Sequence, residues 1–489
     1  MTWTNGMMGG RSIQISVRTT KIVATLGPSS NTREVIAKLL AAGVNVFRMN
    51  MSHGTHEDHS ARIRLVREVC QEAGSLAGLL LDLQGPKIRL GMFEGGKAEL
   101  RAGDLFEIST VETLGNTERA STVYANLARD VTPGDRVLLA DGAVELRVIS
   151  TDGVAIKTEV VAGGTIGDRK GINLPGVNVS TPSLTKKDMA DMQFGVNEGI
   201  DYVALSFVRK ASDIIRLRLF MEERDFAIPV IAKIEKPEAW QNINEIVQES
   251  DGVMVARGDL GVELPCEKVP FIQKSVIEKA RHSGKFVITA TQMLESMIEN
   301  AVPTRAEVSD VANAIYDGTD AVMLSAETSA GAYPVESVKM MARIAAEAEV
   351  AMRPRGYLPP PQRSNPSIAE ILADATYHSA RSANVAAIVV FTTSGSTARL
   401  VAQYRPPVPI YAFTLKESVA RQLALVYGIH PVVTLSETST DEMVAMMDRA
   451  LLERGLCKAR DTVILVAGQP MWRSGTTNLM LLHRVGETR

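Results

Sequence analysis

Eight short apolar runs recur between residues 21 and 328: KIVATLGP (21–28), NVFRMNMS (45–52), GLLLDLQGP (78–86), YVALSFV (202–208), PVIAKIE (229–235), GVMVARGD (252–259), FVITATQM (286–293) and AVMLSAET (321–328). Each is rich in aliphatic residues and ends in polar or charged ones. Nearly continuous apolar runs suit parallel strands buried on both faces. Helical patterns separate most of them, among them 32–43, 59–74 and 270–284, and each of these three ends in glycine, a common helix stop. Eight such units predict a closed (β/α)8 barrel of the TIM type. In that fold the active site lies at the C-terminal ends of the strands, where this chain places its polar residues. An open doubly wound sheet is the structural alternative.

The rhythm breaks once. More than a hundred residues separate the third run from the fourth, and most of them alternate in a β pattern with Gly and Asp turns (AELRAGDLFEIST, DRVLLADGAVELRVIST, GVAIKTEVVAGGTIGD). This predicts a small β-barrel inserted in a barrel loop over residues 87–172, placed to act as a lid. The barrel then comprises 17–86 and 173–350. A proline- and arginine-rich linker (351–366) leads to a separate C-terminal α/β domain (367–489). Residues 1–16 have no apolar core of the secretory kind and read as a flexible leader.

Composition narrows the function. The chain has 489 residues, 45% hydrophobic and 22% charged, with a net charge of −3. This is ordinary for a multidomain globular protein and argues against a general nucleic-acid binder. No run is long enough to span a bilayer. Cys70, Cys266 and Cys457 lie far apart, in no metal-type spacing, and are expected to be buried reduced thiols in a cytoplasmic protein.

The chemistry sits at the strand ends. Lys233 and Glu235 end one strand, and Arg257 and Asp259 end the next. Two carboxylates on neighbouring strands suit a hard cation. A lysine beside them would stabilise charge on a transferring phosphoryl group or an enolate. For one charged strand end, a structural salt bridge would be the simpler reading; here nearly every end is polar. Thr291 and Gln292 end the following strand, and Thr291 either relays a proton through water or caps a helix. Ser325 and Glu327, at the last strand end, could position a nucleotide or water. Arg48 could grip a phosphate, with Asn50, Ser52 and His53 beside it. His53, His56 and His59 crowd one stretch, without the spacing of a zinc motif. No Walker A sequence and no GxGxxG occurs.

The stretches TKIVATLGP, FRMNMSHG, LDLQGPKIR, GINLPG, KIEKPEA, VMVARGDLG, TATQMLESM and VMLSAET together resemble the pyruvate kinase family. The resemblance covers nearly the whole chain. It implies transfer of the phosphoryl group of phosphoenolpyruvate to ADP, giving pyruvate and ATP, the last step of glycolysis. It implies Mg²⁺, or Mn²⁺ in its place, on Glu235 and Asp259. Lys233 would stabilise the phosphoryl group and the enolate, and Thr291 would belong to the route that protonates that enolate. Arg48 and Arg89 would contact phosphate or nucleotide oxygens. Thr25, Pro28, His53 and Lys170 match nucleotide-side positions, and the amides of Arg257, Gly258 and Asp259 match the grip on the substrate carboxylate.

Many members of the family also need K⁺, at positions matching Asn50, Ser52, Asp82 and the carbonyl of Leu83. In those members a glutamate stands where Lys87 stands here, and usually a threonine where Leu83 stands. The resemblance is therefore to the subgroup that works without K⁺, with the Lys87 ammonium replacing the ion and Asp82 as its counter-ion. The loop TTSGSTARL (392–400) follows a strand and precedes a helix. Thr392, Ser394, Ser396 and Thr397 would hold the phosphate of an allosteric effector, or simply cap the helix. The resemblance also implies a homotetramer. Two alternatives are another Mg²⁺-dependent aldolase or lyase of phosphoenolpyruvate or pyruvate, and a non-catalytic effector-binding homologue.

Overall fold

The computed structural model describes residues 18–352, 357, 359–360, 364–436 and 439–487. The leader 1–16 and parts of the linker lie outside the described residues. The eight apolar runs form eight parallel strands: Lys21–Thr25, Val46–Asn50, Gly78–Asp82, Tyr202–Leu205, Val230–Ile234, Gly252–Ala256, Phe286–Ala290 and Ala321–Leu324. They close in sequence order, the last pairing with the first. This is a TIM barrel. Its helices begin where their sequences offer caps. Thr55 and Asp58, Thr185 and Asp188, and Thr304 and Glu307 each form a reciprocal capping box. The helix Arg33–Ala42 stops at Gly43, whose φ of 109° lies in the left-handed region.

The insertion carries its own core, which runs from Ile88 to Val177 and includes Phe106, Leu139, Leu146 and Ile156. Its strands make one six-stranded sheet and one two-stranded ribbon, mostly antiparallel, with alternating burial that matches their alternating sequence. The last strand, Ile172–Asn173, pairs with Arg136–Leu139 and hands the chain back to the barrel.

The C-terminal domain is a five-stranded sheet, parallel except for its edge strand Thr477–Arg484, with helices around it. It closes the N-terminal mouth of the barrel. One apolar cluster joins inward-facing barrel residues (Val23, Leu80, Tyr202, Met254, Ile288) to C-terminal residues (Ile388, Val401, Leu423, Ile464). Buried polar groups cross the same seam. Lys21 Nζ donates to the Ile429 carbonyl at 2.6 Å, and Arg405 donates to the carbonyls of Gly318 (2.6 Å) and Thr319 (3.2 Å). One mouth is thus plugged, and the other is left facing the lid.

Among the described residues no helix is long and apolar enough to cross a membrane. Cys70 and Cys457 are buried, but Cys266 is exposed, contrary to expectation, because it starts the short 3-10 turn that follows the helix Arg257–Glu263.

Candidate active site

A cavity of about 190 Å³ lies between the C-terminal strand ends and the lid. Arg48, Asn50, Ser52, His53, Asp82, Leu83, Lys87, Lys233, Glu235 and Asp259, all singled out from sequence, line it. Parallel register brings them together. Asn50 stands level with Asp82, and Lys233 with Met254 on the strand that leads into the helix carrying Asp259.

Lys233 is the centre. Its ammonium donates to Ser206 Oγ at 2.8 Å and lies 3.2 Å from Glu235 and 3.5 Å from Asp82. Burial works against its charge, but Asp82, Glu235 and Asp259 more than offset this and hold its pKa above the usual lysine value. For Glu235 the balance falls the other way. Burial, aided by Asp259 and Asp82, raises its carboxyl above the ordinary range despite Lys233. Its Oε1 accepts the Phe207 amide at 2.6 Å. Phe207 sits at a φ of 56°, a strained position for a bulky side chain. Gly85 makes room for it, since a Cβ there would meet the Phe207 ring at 2.6 Å. The Gly-Pro turn in LDLQGPKIRL thus serves the metal-type carboxylate indirectly.

Asp82 is fully buried and yet held below the usual carboxylate range. Burial opposes its charge, and Lys233 and Arg48 outweigh burial. Arg48 reaches it with Nε and a terminal nitrogen, both at 2.7 Å. The expected Asp82–Lys87 pair is therefore not formed. Two cations nearer the barrel axis already occupy Asp82. Among the described residues Lys87 is held in no ion pair. It still lines the cavity, where burial and then Arg89, Lys87 and Arg48 push the His53 pKa down.

Thr291 and Gln292 both have positive φ, at 68° and 52°. This is unusual for a β-branched residue and marks a constrained strand end. Thr291 Oγ1 accepts the Gly258 amide at 2.7 Å and donates to the Ala290 carbonyl at 2.6 Å. The Arg257 side chain locks this corner by bonding the carbonyls of Thr291 (2.8 Å) and Gln292 (3.0 Å) and pairing with Asp310 at 2.6 Å.

The remaining sequence-selected residues stand apart from the cavity lining. Thr25 is buried behind Arg48, accepting from it at 3.1 Å and donating to the Leu324 carbonyl at 2.9 Å. Pro28 is exposed at the start of a short 3-10 turn. Arg89 donates to the Arg169 carbonyl at 3.0 Å, and Lys170 is exposed beside it at the lid base. Glu327, read as a positioning group, is instead a buried staple that accepts the amides of Ser325 (2.7 Å) and Leu294 (3.1 Å). His56 bonds Asp191 at 2.7 Å and stacks on Phe194, while His59 bonds the His53 carbonyl at 2.8 Å.

Sequence reasoning missed Ser206, Lys236, Glu263 and Asn173, which all line the cavity. Ser206 carried a signal, since it ends an apolar run like the residues that were chosen. Glu263 carried none, because it lies at the far end of the helix Arg257–Glu263 and turns inward only through tertiary packing.

Glu235 and Asp259 fit a divalent cation. Both face one cavity, and burial, with Asp259 and Asp82 close by, raises the Glu235 pKa even though Lys233 lies beside it, so a further positive charge would be accommodated there. Among the described residues no group of three or more His, Cys, Asp or Glu is placed to hold a metal by itself, so substrate and water oxygens would complete such a site.

In the C-terminal domain, Thr392, Ser394, Ser396 and Thr397 line a second, small cavity with Trp472 and Arg473. Thr392 Oγ1 accepts the Gly395 amide at 2.9 Å, and Thr397 bonds Thr477 at 2.6 Å. Gly395 has a φ of 83° immediately before the helix Ser396–Gln403.

Comparison with known proteins agrees with this fold. The family description "pyruvate kinase, barrel domain" matches residues 17–338, and "pyruvate kinase, alpha/beta domain" matches 370–483. Pyruvate kinase of Geobacillus stearothermophilus is 48% identical over 474 residues, covering 96% of this chain and 81% of that one. Pyruvate kinase of Sporosarcina psychrophila is 45% identical over 475 residues with the same coverage. The crystal structure of a pyruvate kinase from Cryptosporidium parvum superposes with a TM-score of 0.89 at 39% identity, covering 96% of each chain. Barrel, inserted lid, C-terminal sheet and the charged mouth between barrel and lid all lie within these matches, and the chain belongs to the pyruvate kinase family.

Proposed function

We propose that phosphoryl transfer from phosphoenolpyruvate to ADP takes place in the cavity between barrel and lid. The observation that carries this reading is Lys233, a buried ammonium fixed at 2.8 Å from Ser206 Oγ and flanked by Asp82 and Glu235. A positive charge set in place before substrate arrives stabilises the phosphoryl oxygens in transit and the enolate left behind, without reorganisation cost. Glu235 and Asp259 would hold Mg²⁺ or Mn²⁺, which would supply further neutralisation of those oxygens. Arg48, oriented by Asp82, faces the phosphate. The substrate carboxylate takes the amides at Arg257, Gly258 and Asp259. Its arrival displaces Thr291 Oγ1 from the Gly258 amide and frees that hydroxyl to join the proton route to the enolate carbon. Thr25, Pro28, His53, Arg89 and Lys170 form the nucleotide side. His53, whose pKa burial and then the cations Arg89, Lys87 and Arg48 push down, serves there as a hydrogen-bonding group.

Lys87 provides the charge that K⁺ provides elsewhere in the family. It shares the cavity with Asn50, Ser52, Asp82 and Leu83, and its ammonium, free of Asp82, is available to substrate phosphate. Thr392, Ser394, Ser396 and Thr397 receive a phosphorylated effector, and the enzyme works as a cytoplasmic homotetramer. The domain boundaries given above are part of the same reading. The test is pyruvate formation from phosphoenolpyruvate and ADP with Mg²⁺, in buffer free of Na⁺ and K⁺ and again with K⁺. Turnover little changed by K⁺ supports both parts. Turnover only with K⁺ would remove Lys87 from the cation role, and consumption of phosphoenolpyruvate without ATP formation would overturn the kinase reading.

A further inference from the structure

We infer that Glu263 is a positioning residue that fixes the lid over the reacting groups. This rests on the kinase reading above. Glu263 ends the short helix whose first turn carries Asp259, and its side chain is only 1% exposed. Its Oε1 accepts two donors. Lys236 Nζ, on the barrel immediately after Glu235, bonds it at 2.6 Å. Asn173 Nδ2, on the last strand of the lid, bonds it at 3.0 Å. The other oxygen, Oε2, is buried without a partner.

The arrangement is asymmetric in a useful way. The barrel holds one side of the carboxylate permanently, because Lys236 is 12% exposed and also lies over the Phe207 ring, 5.4 Å from its centre. The lid holds the other side through one uncharged amide. Asn173 belongs to the strand that pairs with Arg136–Leu139, so its position sets the hairpin beyond that strand. At the tip of that hairpin Gly142 comes against Val262, the neighbour of Glu263, with a Cβ there falling 3.9 Å from Val262 Cγ1. Asp141, beside it, lines the cavity. Glu263 is thus an anchored receptor and Asn173 the tongue that enters it. The unpartnered Oε2 lets the amide move across the carboxylate as the lid shifts, without Lys236 letting go. The same contacts run from the lid to Glu235. Asn173 bonds Glu263, Glu263 bonds Lys236, Lys236 covers Phe207, and the Phe207 amide holds Glu235.

The experiment uses the full-length protein and four variants: Asn173→Ala, Glu263→Gln, the two combined, and the exchanged pair Asn173→Asp with Glu263→Gln. Steady-state kcat and KM are measured with phosphoenolpyruvate, ADP and Mg²⁺, and amide hydrogen exchange is followed in the hairpin 136–147. Asn173→Ala and Glu263→Gln should each lower kcat/KM about tenfold, the scale of a hydrogen bond to a charged group. The combination should lose no more than the worse single variant, and the exchanged pair should recover most of the loss, because the residue-263 amide can then donate to Asp at 173. Exchange in the hairpin should speed up in Asn173→Ala while the thermal midpoint hardly moves. Additive losses, unchanged kinetics in Asn173→Ala, or unchanged hairpin exchange would each overturn the inference. An inactive parent protein would instead overturn the kinase reading, so the two failures are distinguishable.

Discussion

Replacing Lys233 with glutamine removes one charge and shortens the side chain by one bond. The contact with Ser206 Oγ, now 2.8 Å from the ammonium, lengthens accordingly. At an effective dielectric near 20, charges 3.2 and 3.5 Å apart attract by about 5 kcal/mol each, which bounds what is lost against Glu235 and Asp82. Desolvation of the ammonium offsets much of this, and Asp82 keeps Arg48, so the net loss of stability should be roughly 3 kcal/mol. Its pH dependence follows from the carboxylates. Glu235 has a raised folded pKa; its contribution is present below the unfolded value and fades as pH rises through the folded one. Without Lys233 that pKa climbs further. Asp82 has a depressed pKa; its contribution is present above the unfolded value and fades as pH falls, and without Lys233 it shrinks. Both effects make the penalty smallest in acid and largest near neutrality, as urea titrations at several pH values would read. The catalytic loss is larger. Removing a preorganised group from a developing oxyanion costs about 100- to 1000-fold in kcat, with a smaller change in the KM for phosphoenolpyruvate. A folded Lys233→Gln protein with kcat within about fivefold of the parent would refute the assignment.

Lys87→Glu should make turnover depend on added K⁺, measured as initial rate against K⁺ concentration; a K⁺-indifferent variant would remove Lys87 from the cation role. Mg²⁺ should raise the melting temperature more at about pH 8 than at about pH 5, because Glu235 must ionise to bind it and its pKa is raised. Arg405→Leu should cost about 3 kcal/mol in denaturant titrations, since it strips the carbonyls of Gly318 and Thr319 of a buried charged donor at the barrel–C-terminal seam.

The eight strand positions were legible in the sequence because each is an apolar run buried on both faces, and parallel strands leave that signature whatever packs on them. The strand-end charges were legible for the same reason, since any polar residue closing such a run must stand at the mouth. The pairing among those charges was not. Asp82 chooses Arg48 and Lys233 over Lys87 through strand register and the depth of each side chain in the barrel, and spacing along the chain records neither. Glu327 looked like its functional neighbours because a loop staple and a ligand-facing carboxylate share one sequence context. Glu263 was invisible, because its donors come from the lid strand and from the previous strand end, 90 and 27 residues away.

Lys233, Glu235 and Asp259 are expected to act together on a transferring phosphoryl group. The most direct measurement follows ³¹P resonances of phosphoenolpyruvate and ADP with Mg²⁺, for the parent chain and for Asp259→Asn. The expected result is loss of the phosphoenolpyruvate signal matched by a γ-phosphate signal of ATP in the parent, and a rate at least about 100-fold lower in the folded variant. Release of inorganic phosphate instead of ATP, or an equal rate in Asp259→Asn, would contradict it.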